Sequence, residues 1–496
     1  MELVKIKNGG VLAQRSVPSL GDGDFRSELV RLVNSGGTVC SMFASPSGGP
    51  TIIYAVIAFH ESSEFCIFST VVGDEYESLT PAIPQVHMFE REMAEQYGVI
   101  PKGHPWLKPV RFQTAHNSSG AKTSQIGVTG FFSVEGEDIH EVAVGPVHAG
   151  VIEPGHFRFQ CHGEKVFNLE ISLGYQHRGI EKALIGGPHK LTMAMMETAA
   201  GDATIGHGTA YCQAVEALSG TETPIRAQYI RALALELERL ANHAGDLGML
   251  AQDVGYLPAS SFCGRLRGEF LNLSQEICGN RFGRCLLTPG GVRFDVSVEM
   301  AQILVHRLEK AGTDLRSASG LLWSKPSVIA RFENTGTITK EDCANLGIVG
   351  VAARACGVAR DVRQDFPAGA YKTTHTQAAT WDSGDVMGRA RVRRMEVDDS
   401  LELARRLLIE MPPGPVKTEV GGMAPGMICV SATEGWRGEI VHVALTGDDG
   451  GFTRYKIVDP SFHNWTGLAL ALRGQEISDF PLCNKSFNLS YCGFDL

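Results

Sequence analysis

Residues 200–207 read Ala200-Gly201-Asp202-Ala203-Thr204-Ile205-Gly206-His207, one carboxylate and one imidazole among small side chains. Carboxylates and imidazoles take and give protons near neutral pH once burial or neighbours tune them. A buried Asp202 is costly unless paired, so an arginine or histidine partner is expected for it. Further groups of this kind lie at His148, Glu153 and His156, and at His177, Arg178 and Glu181. The arginine-rich run 354–363 holds Arg354, Arg360, Asp361 and Arg363. The 12 cysteines are scattered, and no pair has the Cys-x-x-Cys spacing of a zinc or iron–sulfur site. They read as buried, reduced thiols used as small hydrophobes.

Bulk properties narrow the classes. The net charge of -10 argues against nucleic-acid binding, which needs a basic face. Hydrophobic residues make up 43% and charged residues 20%, a globular composition. No run of about 18 apolar residues is present to span a membrane. The start, Met1-Glu2-Leu3-Val4-Lys5-Ile6-Lys7, lacks the apolar block of a signal peptide, so a cytoplasmic location is expected.

The elements that must position these groups fall into three stretches. Residues 24–35 carry a helical pattern. Strand-like runs follow at Thr38–Phe43, Thr51–Phe59 and Glu64–Val72, rich in β-branched and aromatic residues, then a helix near Met88–Tyr97. This predicts a small α/β module over 1–110. Residues 111–138, with Asn117-Ser118-Ser119-Gly120, read as a polar linker. Short strands are predicted between Val142 and Phe167, and mostly helix from about 187 to 335. Thr223-Pro224 reads as a helix start, with a capping residue and proline at the first helical position. Behind it Ile230, Leu233, Leu237, Leu240 and Leu247 recur at helical spacing. Ser383–Ile409 reads as another long helix. Glu439–Leu445 and Phe452–Val458 flank a glycine-rich turn and read as a β-hairpin.

Several local patterns occur in one order. Phe89-Glu90-Arg91-Glu92 through Gly98-Val99, followed by Gly103-His104-Pro105, resembles the small peripheral subunit of respiratory complex I that supports the quinone-site subunit. Gly145-Pro146-Val147-His148 with Glu153-Pro154-Gly155-His156-Phe157-Arg158 resembles the N-terminal hairpin of membrane-bound nickel–iron hydrogenase large subunits and of the complex I quinone-site subunit. His177–Lys182, Ala210-Tyr211 with Ala214-Val215-Glu216, Arg239-x-x-Asn242-His243, Arg354–Arg363 and Pro460-Ser461-Phe462-x-Asn464 are similar to motifs of the same superfamily. Any one of these is weak, but together in register they are specific. Fusion of the small and large modules resembles the large subunit of formate-hydrogenlyase-type, energy-converting hydrogenases.

Departures from the pattern matter as much. The resemblance implies four thiolates, whose softness selects a nickel–iron centre. The first pair of positions holds Ala200 and Ala203, and the second holds Ser490 and Gly493. Cys492 is one residue out of register. No nickel is therefore expected, and no cofactor bound by this chain. The tyrosine that complex I uses at this cleft falls on Gly201, and an arginine of both families falls on Thr198. By resemblance, Glu153 sits where hydrogenases carry a proton-relay carboxylate; a solvated hairpin carboxylate is the plain alternative. His156 matches a histidine near the quinone and as a neutral imidazole could donate to a quinone carbonyl; a hydrogen bond inside the hairpin would explain it equally. His207 reads as inherited packing or as a catalytic group. His177, Arg178 and Glu181 read as a polar network beside an iron–sulfur cluster of a neighbouring subunit.

The expected fold is α+β: a small N-terminal α/β module (1–110), a linker (111–138) and a mostly helical hydrogenase large-subunit/complex I-like domain (139–496) with flanking β-hairpins. The resemblance implies a peripheral oxidoreductase subunit on the inner face of the cell membrane. Its implied partners are a small subunit carrying a [4Fe–4S] cluster and integral-membrane complex I-like and antiporter-like subunits. It leaves open whether a soluble dehydrogenase module feeds the complex. Catalytic roles are expected for Glu153, His156, Asp202 and His207. An acceptor cavity, for a quinone or similar molecule, is expected from His148, Gly201, Arg354, Arg360, Asp361 and Arg363. The alternatives are a non-catalytic coupling subunit and a working hydrogenase.

Overall fold

The computed structural model describes residues 3–46, 50–115, 125–148, 152–374 and 376–496. The chain is α+β. Strands Val4–Ile6, Glu64–Val72, Thr51–Phe59 and Thr38–Pro46 form an antiparallel sheet, to which Ser19–Leu20 adds a short parallel edge. Helix Asp22–Asn34 covers this sheet with Phe25, Leu29 and Leu32, spaced so that all three face one side. Helix His87–Tyr97 ends at Gly98, whose φ of 72° is the left-handed conformation that closes a helix.

A second sheet joins Ile139–Val144, His156–His162 and Lys165–Ser172. A third joins Phe452–Val458, Gly438–Thr446, Met427–Gly435 and, at its edge, Gly10–Ala13 from the start of the chain. The predicted C-terminal hairpin is present, and the segment before it supplies a further strand. Gly438–Thr446 is buried along its whole length, and helix Thr204–Ser219 packs against the neighbouring strand Met427–Gly435. Residues 117–120 of the predicted linker lie outside the described residues.

The helical layer is built around Ile225–Asp253, with Leu257–Cys278, Val298–Trp323 and Val386–Ile409 packed about it. Two boundary expectations change. Pro224 occupies the N-cap rather than the first helical turn, and Thr223 makes no cap hydrogen bond. The last long helix starts at Val386, not Ser383, because the Asp385 side chain accepts from the Gly388 N–H and caps it there. Sequence pattern places a helix body well, but a cap depends on which polar side chain reaches the free N–H groups.

A buried ion cluster joins the N-terminal sheet to the C-terminal one. Lys456 Nζ donates to Glu92 (2.7 Å) and Glu181 (3.0 Å), Arg454 donates to Glu181 (2.9 Å) and to the Ala44 carbonyl (3.0 Å), and Arg111 pairs with Glu92. Removing one member of such a cluster strands a charge away from water, at a cost of about 3–5 kcal/mol. Lys456→Met is accordingly expected to lower stability by about that amount in chemical denaturation. A change under about 1 kcal/mol, the worth of an exposed pair, would show that the cluster contributes little.

Candidate functional site

The candidate site is a cleft walled by the turn before helix Thr204–Ser219, the tip of the Met427–Thr446 hairpin and the C-terminal segment. Ala200 and Ala203 are buried and pack under Trp436 at the hairpin tip. The Trp436 indole N–H donates to the Asp202 carbonyl (2.8 Å), as does the Asn242 side chain (3.0 Å). The Arg437 guanidinium lies 3.9 Å over the Trp436 ring, a cation–π contact. It also forks onto both Asp202 oxygens, at 2.6 and 2.8 Å. That bidentate pair answers the charge of Asp202, whose side chain is 35% exposed. Arg437 Nε donates to the Asn488 carbonyl. The Asn488 side chain in turn donates to Asp246, and Asp246 accepts from Arg393 at 2.6 Å.

The residues at the implied metal-ligand positions do not fit a nickel–iron centre. None of Ala200, Ala203, Ser490 and Gly493 carries a thiolate. A Cβ added at Gly493 would stand 2.7 Å from Cγ of Asp459. Ser490 Oγ is committed to capping the final helix through the Gly493 N–H (2.9 Å). Cys492 lies beside these positions. Its thiol is pushed up to about 11 by burial first and by the neighbouring Glu153 charge second, so it stays protonated. Gly201 differs from its neighbours: a Cβ built there would meet no heavy atom within 4 Å.

His207 is fully buried below this floor. Its Nε2 faces Asp459 Oδ2 (3.0 Å) and its Nδ1 faces His442 Nε2 (3.1 Å). His442 continues to the Tyr455 hydroxyl (2.9 Å). Burial pushes His442 well below the usual histidine range, which keeps it neutral. Burial raises Asp459, but the hydrogen bond and charge of His207 outweigh that and hold its carboxyl low. Glu238 accepts from the N–H groups of Ile205 and Gly206 at 2.7 and 3.3 Å, at the start of the same helix. Burial nonetheless raises its carboxyl to about 8.

The N-terminal hairpin supplies the other wall. His156 Nδ1 pairs with the Gly145 carbonyl and His148 Nε2 with the Gly155 carbonyl, both at 3.0 Å. A carbonyl only accepts, so each nitrogen carries the proton. Neutral His156 is then left with a lone pair at Nε2, which is buried and has no hydrogen-bond partner among the described residues. Donation from that nitrogen to an acceptor needs the imidazolium form, unlike the neutral donor expected from sequence. Glu153 is half-buried at this wall.

Most of the remaining expected residues lie elsewhere, whereas Arg178 ties the turn before helix Thr204–Ser219 to the C-terminal segment through the Ala199 and Cys492 carbonyls. Arg354 is fully buried and donates to Glu396 and Glu434, both at 2.8 Å, and to the Arg360 carbonyl. Asp361 and Arg363 pair with each other (2.7 Å), and Arg363 reaches Glu236 (3.1 Å). Arg354, Asp361 and Arg363 therefore belong to a buried ion network instead of facing the cleft. Arg360 is half-buried and borders a small cavity with His60 and Glu439. His177 pairs with the Asp495 carbonyl (2.7 Å), and Arg178 donates to the carbonyls of Thr198 and Ala199. Arg178 is exposed, whereas Glu181 is buried in the Lys456 cluster.

Sequence reasoning missed Trp436, Arg437, Glu238 and the two partners of His207, His442 and Asp459. A Gly-Trp-Arg-Gly turn between two β-rich runs was the available signal for the first two. Nothing in the sequence announced the others. Among the described residues no helix is long and apolar enough to cross a membrane.

Comparison with known proteins places this fold among the subunits of membrane-associated redox complexes. Residues 253–427 match the family model of the 49 kDa subunit of respiratory-chain NADH dehydrogenase, and residues 37–118 match that of the 30 kDa subunit. The chain is 31% identical over 350 residues to the carbon monoxide-induced hydrogenase of Rhodospirillum rubrum, covering 70% of this chain and 97% of that one. It is 29% identical over 480 residues to formate hydrogenlyase subunit 5 of Escherichia coli K12, covering 92% and 84%. A chain from the structure of a membrane-bound sulfane sulfur reductase, an archaeal respiratory membrane complex, superposes with a TM-score of 0.67 at 26% identity. That match covers 73% of this chain and 99% of the other.

The chain belongs to the family of complex I 49 kDa subunits and hydrogenase large subunits, with a 30 kDa-type module fused ahead of it. It is a subunit of a complex I-like, hydrogenase-related oxidoreductase.

Two outcomes test the floor of the cleft. Because Glu238 is raised above its unfolded value near 4.5, the native state holds its proton more tightly. The linked stability is full below about pH 4.5 and lost as pH rises through about 8. Glu238→Gln is expected to flatten that part of the stability–pH curve measured by thermal melting; a parallel curve would contradict the assignment. Gly493→Cys should destabilise the fold by about 1–3 kcal/mol through overpacking against Asp459. It should also bind no stoichiometric nickel by elemental analysis.

Proposed function

We propose that this subunit carries electrons from a [4Fe–4S] cluster of a small partner subunit to a quinone or similar organic acceptor at the mouth of the cleft. The reduction is coupled to ion movement in integral-membrane, antiporter-like partners, and the chain sits peripherally on the inner face of the membrane through them. On this reading residues 1–110 form the 30 kDa-type module, 111–138 the linker and 139–496 the acceptor-bearing domain.

The observation that carries the reading is the contrast between Gly201 and its neighbours. The metal-ligand positions are packed under Trp436 or against Asp459, while space remains open at Gly201 beside the Asp202–Arg437 pair. A planar acceptor seated there would meet a fixed guanidinium and carboxylate on one side. Glu153, His156 and the Cys492 segment would stand on the other. Proton-coupled reduction needs groups that exchange protons at the acceptor, and Glu153 and Asp202 are the carboxylates placed for it. His207 lies beneath the floor, where its hydrogen bonds to Asp459 and His442 suit a positioning role.

A second reading has its own support. The tight packing around Ala200, Ala203 and Gly493 suits a non-catalytic subunit that transmits conformational change between electron-transfer and membrane arms. A working nickel–iron hydrogenase would need a thiolate set, which these positions do not supply.

The test uses the intact complex. Dye-linked reduction of a short-chain quinone is measured, with a sulfane-sulfur compound as a second acceptor class. Gly201→Trp, which fills the open space, and Asp202→Asn should each lower kcat/KM for the true acceptor by about tenfold or more, equal to about 1.4 kcal/mol of transition-state stabilisation. Wild-type turnover in both variants would sink the acceptor reading and leave the coupling reading.

A further inference from the structure

The Met427–Thr446 hairpin carries more than the cleft floor. Its tip is Gly435-Trp436-Arg437-Gly438, and directly below the tip Glu434 and Glu439 face each other in antiparallel register. Residues opposite each other in this way share one face of the sheet, and like charges there are unfavourable. Both side chains are buried, at 3% and 7% exposure. Two buried carboxyls so placed resist being ionised together.

The charges around them do not balance the pair. Glu434 accepts from Arg354 (2.8 Å) and from the Val362 N–H (2.9 Å). Asp361, on the segment that follows Arg354, adds a further negative charge. Arg239, from helix Ile225–Asp253, is the second cation that acts on Glu434, but its guanidinium bonds the carbonyls of Glu434 and Gly435. Arg354 is itself shared with Glu396. Facing Glu439 are Glu434, Arg360 and Asp365, with Cys40 within reach of its charge and His60 beside it at the small cavity that both glutamates border. Burial and then its neighbour's charge raise Glu439 to about 8; burial and then Asp361 raise Glu434 as well.

Beside Glu434 lies a cavity of about 220 Å³ between helices Thr204–Ser219 and Ile225–Asp253 and the segment 362–372. Three threonines border it: Thr209, Thr223 and Thr433. The Oγ1 of each is buried without a hydrogen-bond partner among the described residues, and Thr209 and Thr433 are only 3% and 6% exposed. Buried hydroxyls are satisfied by protein or by ordered water, and a volume of about 220 Å³ has room for several water molecules. Lys372 and Gln228 also border it.

We propose that Glu434 and Glu439 form a shared-proton site that exchanges its proton with water held in the threonine-lined cavity. In the step, a carboxyl O–H of the pair breaks, the proton passes to a cavity water, and the electron pair stays on the carboxylate; uptake is the reverse. No proton passes Arg354, which does not deprotonate in proteins. The charge of the pair instead acts on the cleft through the hairpin itself, whose next residues, Trp436 and Arg437, hold Asp202, and through the chain Arg354–Glu396–His243. His243 meets Glu396 at 2.7 Å and packs edge-on against Trp436. The inference goes beyond the acceptor reading and does not depend on it.

Infrared difference spectroscopy of the purified complex, titrated over about pH 5–9, reads the carboxylic acid directly without turnover. A protonated-carboxyl band that disappears with rising pH is expected in the wild type, lost or shifted in both Glu434→Gln and Glu439→Gln. The double variant Thr209→Val/Thr433→Val should keep the band but slow its shift on transfer to D2O by about tenfold, because the cavity loses its water-binding hydroxyls. Circular dichroism of each variant confirms folding. A wild type without such a band, or a band unchanged in the two glutamine variants, overturns the shared-proton site. Unaltered exchange in the threonine double variant overturns the cavity as its route.

Discussion

The structure depends on charge buried between its layers. Arg239, Arg354, Arg389 and Arg393 are each almost fully enclosed. An arginine cannot shed its proton to escape this, so every one must find acceptors inside the protein. Helices Ile225–Asp253 and Val386–Ile409 supply many of them along one seam. Asp246 meets Arg393, His243 meets Glu396, and Glu236 accepts from Ser400. Burying these groups costs several kcal/mol per ion before pairing, so one arrangement of helices and hairpin is tolerated and displaced ones leave charges stranded.

That constraint fixes the cleft. Arg239 holds the backbone of the hairpin tip through the carbonyls of Glu434 and Gly435. The tip then presents Trp436 and Arg437 to the turn that carries Asp202. On the other side of the tip, Gly350 (φ 66°) lies against Gly438 (φ 140°), and a Cβ on Gly438 would stand 2.6 Å from the Gly350 Cα. Only glycine allows the chain to pass there. The cleft floor is therefore a consequence of the ion seam rather than an independent feature, and Trp436 covers Ala200 and Ala203 with the Arg437 guanidinium stacked on its ring.

Much of the fold is legible in the sequence, because local pattern decides it. Phe25, Leu29 and Leu32 keep a helical spacing, the run Thr51–Phe59 is a nearly continuous buried strand, and both arms of the C-terminal hairpin flank the glycine-rich turn that marks them in the sequence. The ordered motifs, from Glu90 to Asn464, likewise carry the family resemblance in residue identity alone. Less of the site is legible, because the meaning of its groups is set by distant partners. Arg354, Asp361 and Arg363 looked like an acceptor wall because charged residues in a motif suggest a site. Yet Arg354 meets Glu396 and Glu434, 42 and 80 residues away, and Arg363 meets Glu236, 127 residues away. Glu181 looked like an interface residue and is enclosed by Arg454 and Lys456.

By itself the sequence determined the family, the helices and strands and the missing thiolates, because periodicity, motif order and residue identity are local properties. Tertiary structure alone decided the partner of Asp202, the closure at Gly493, the open space at Gly201 and the meeting of Glu434 with Glu439. Those depend on desolvation and on contacts between segments far apart in the chain. Whether a carboxylate is solvated, paired or forced to keep its proton is set by what surrounds it in space, and no spacing in the sequence carries that information.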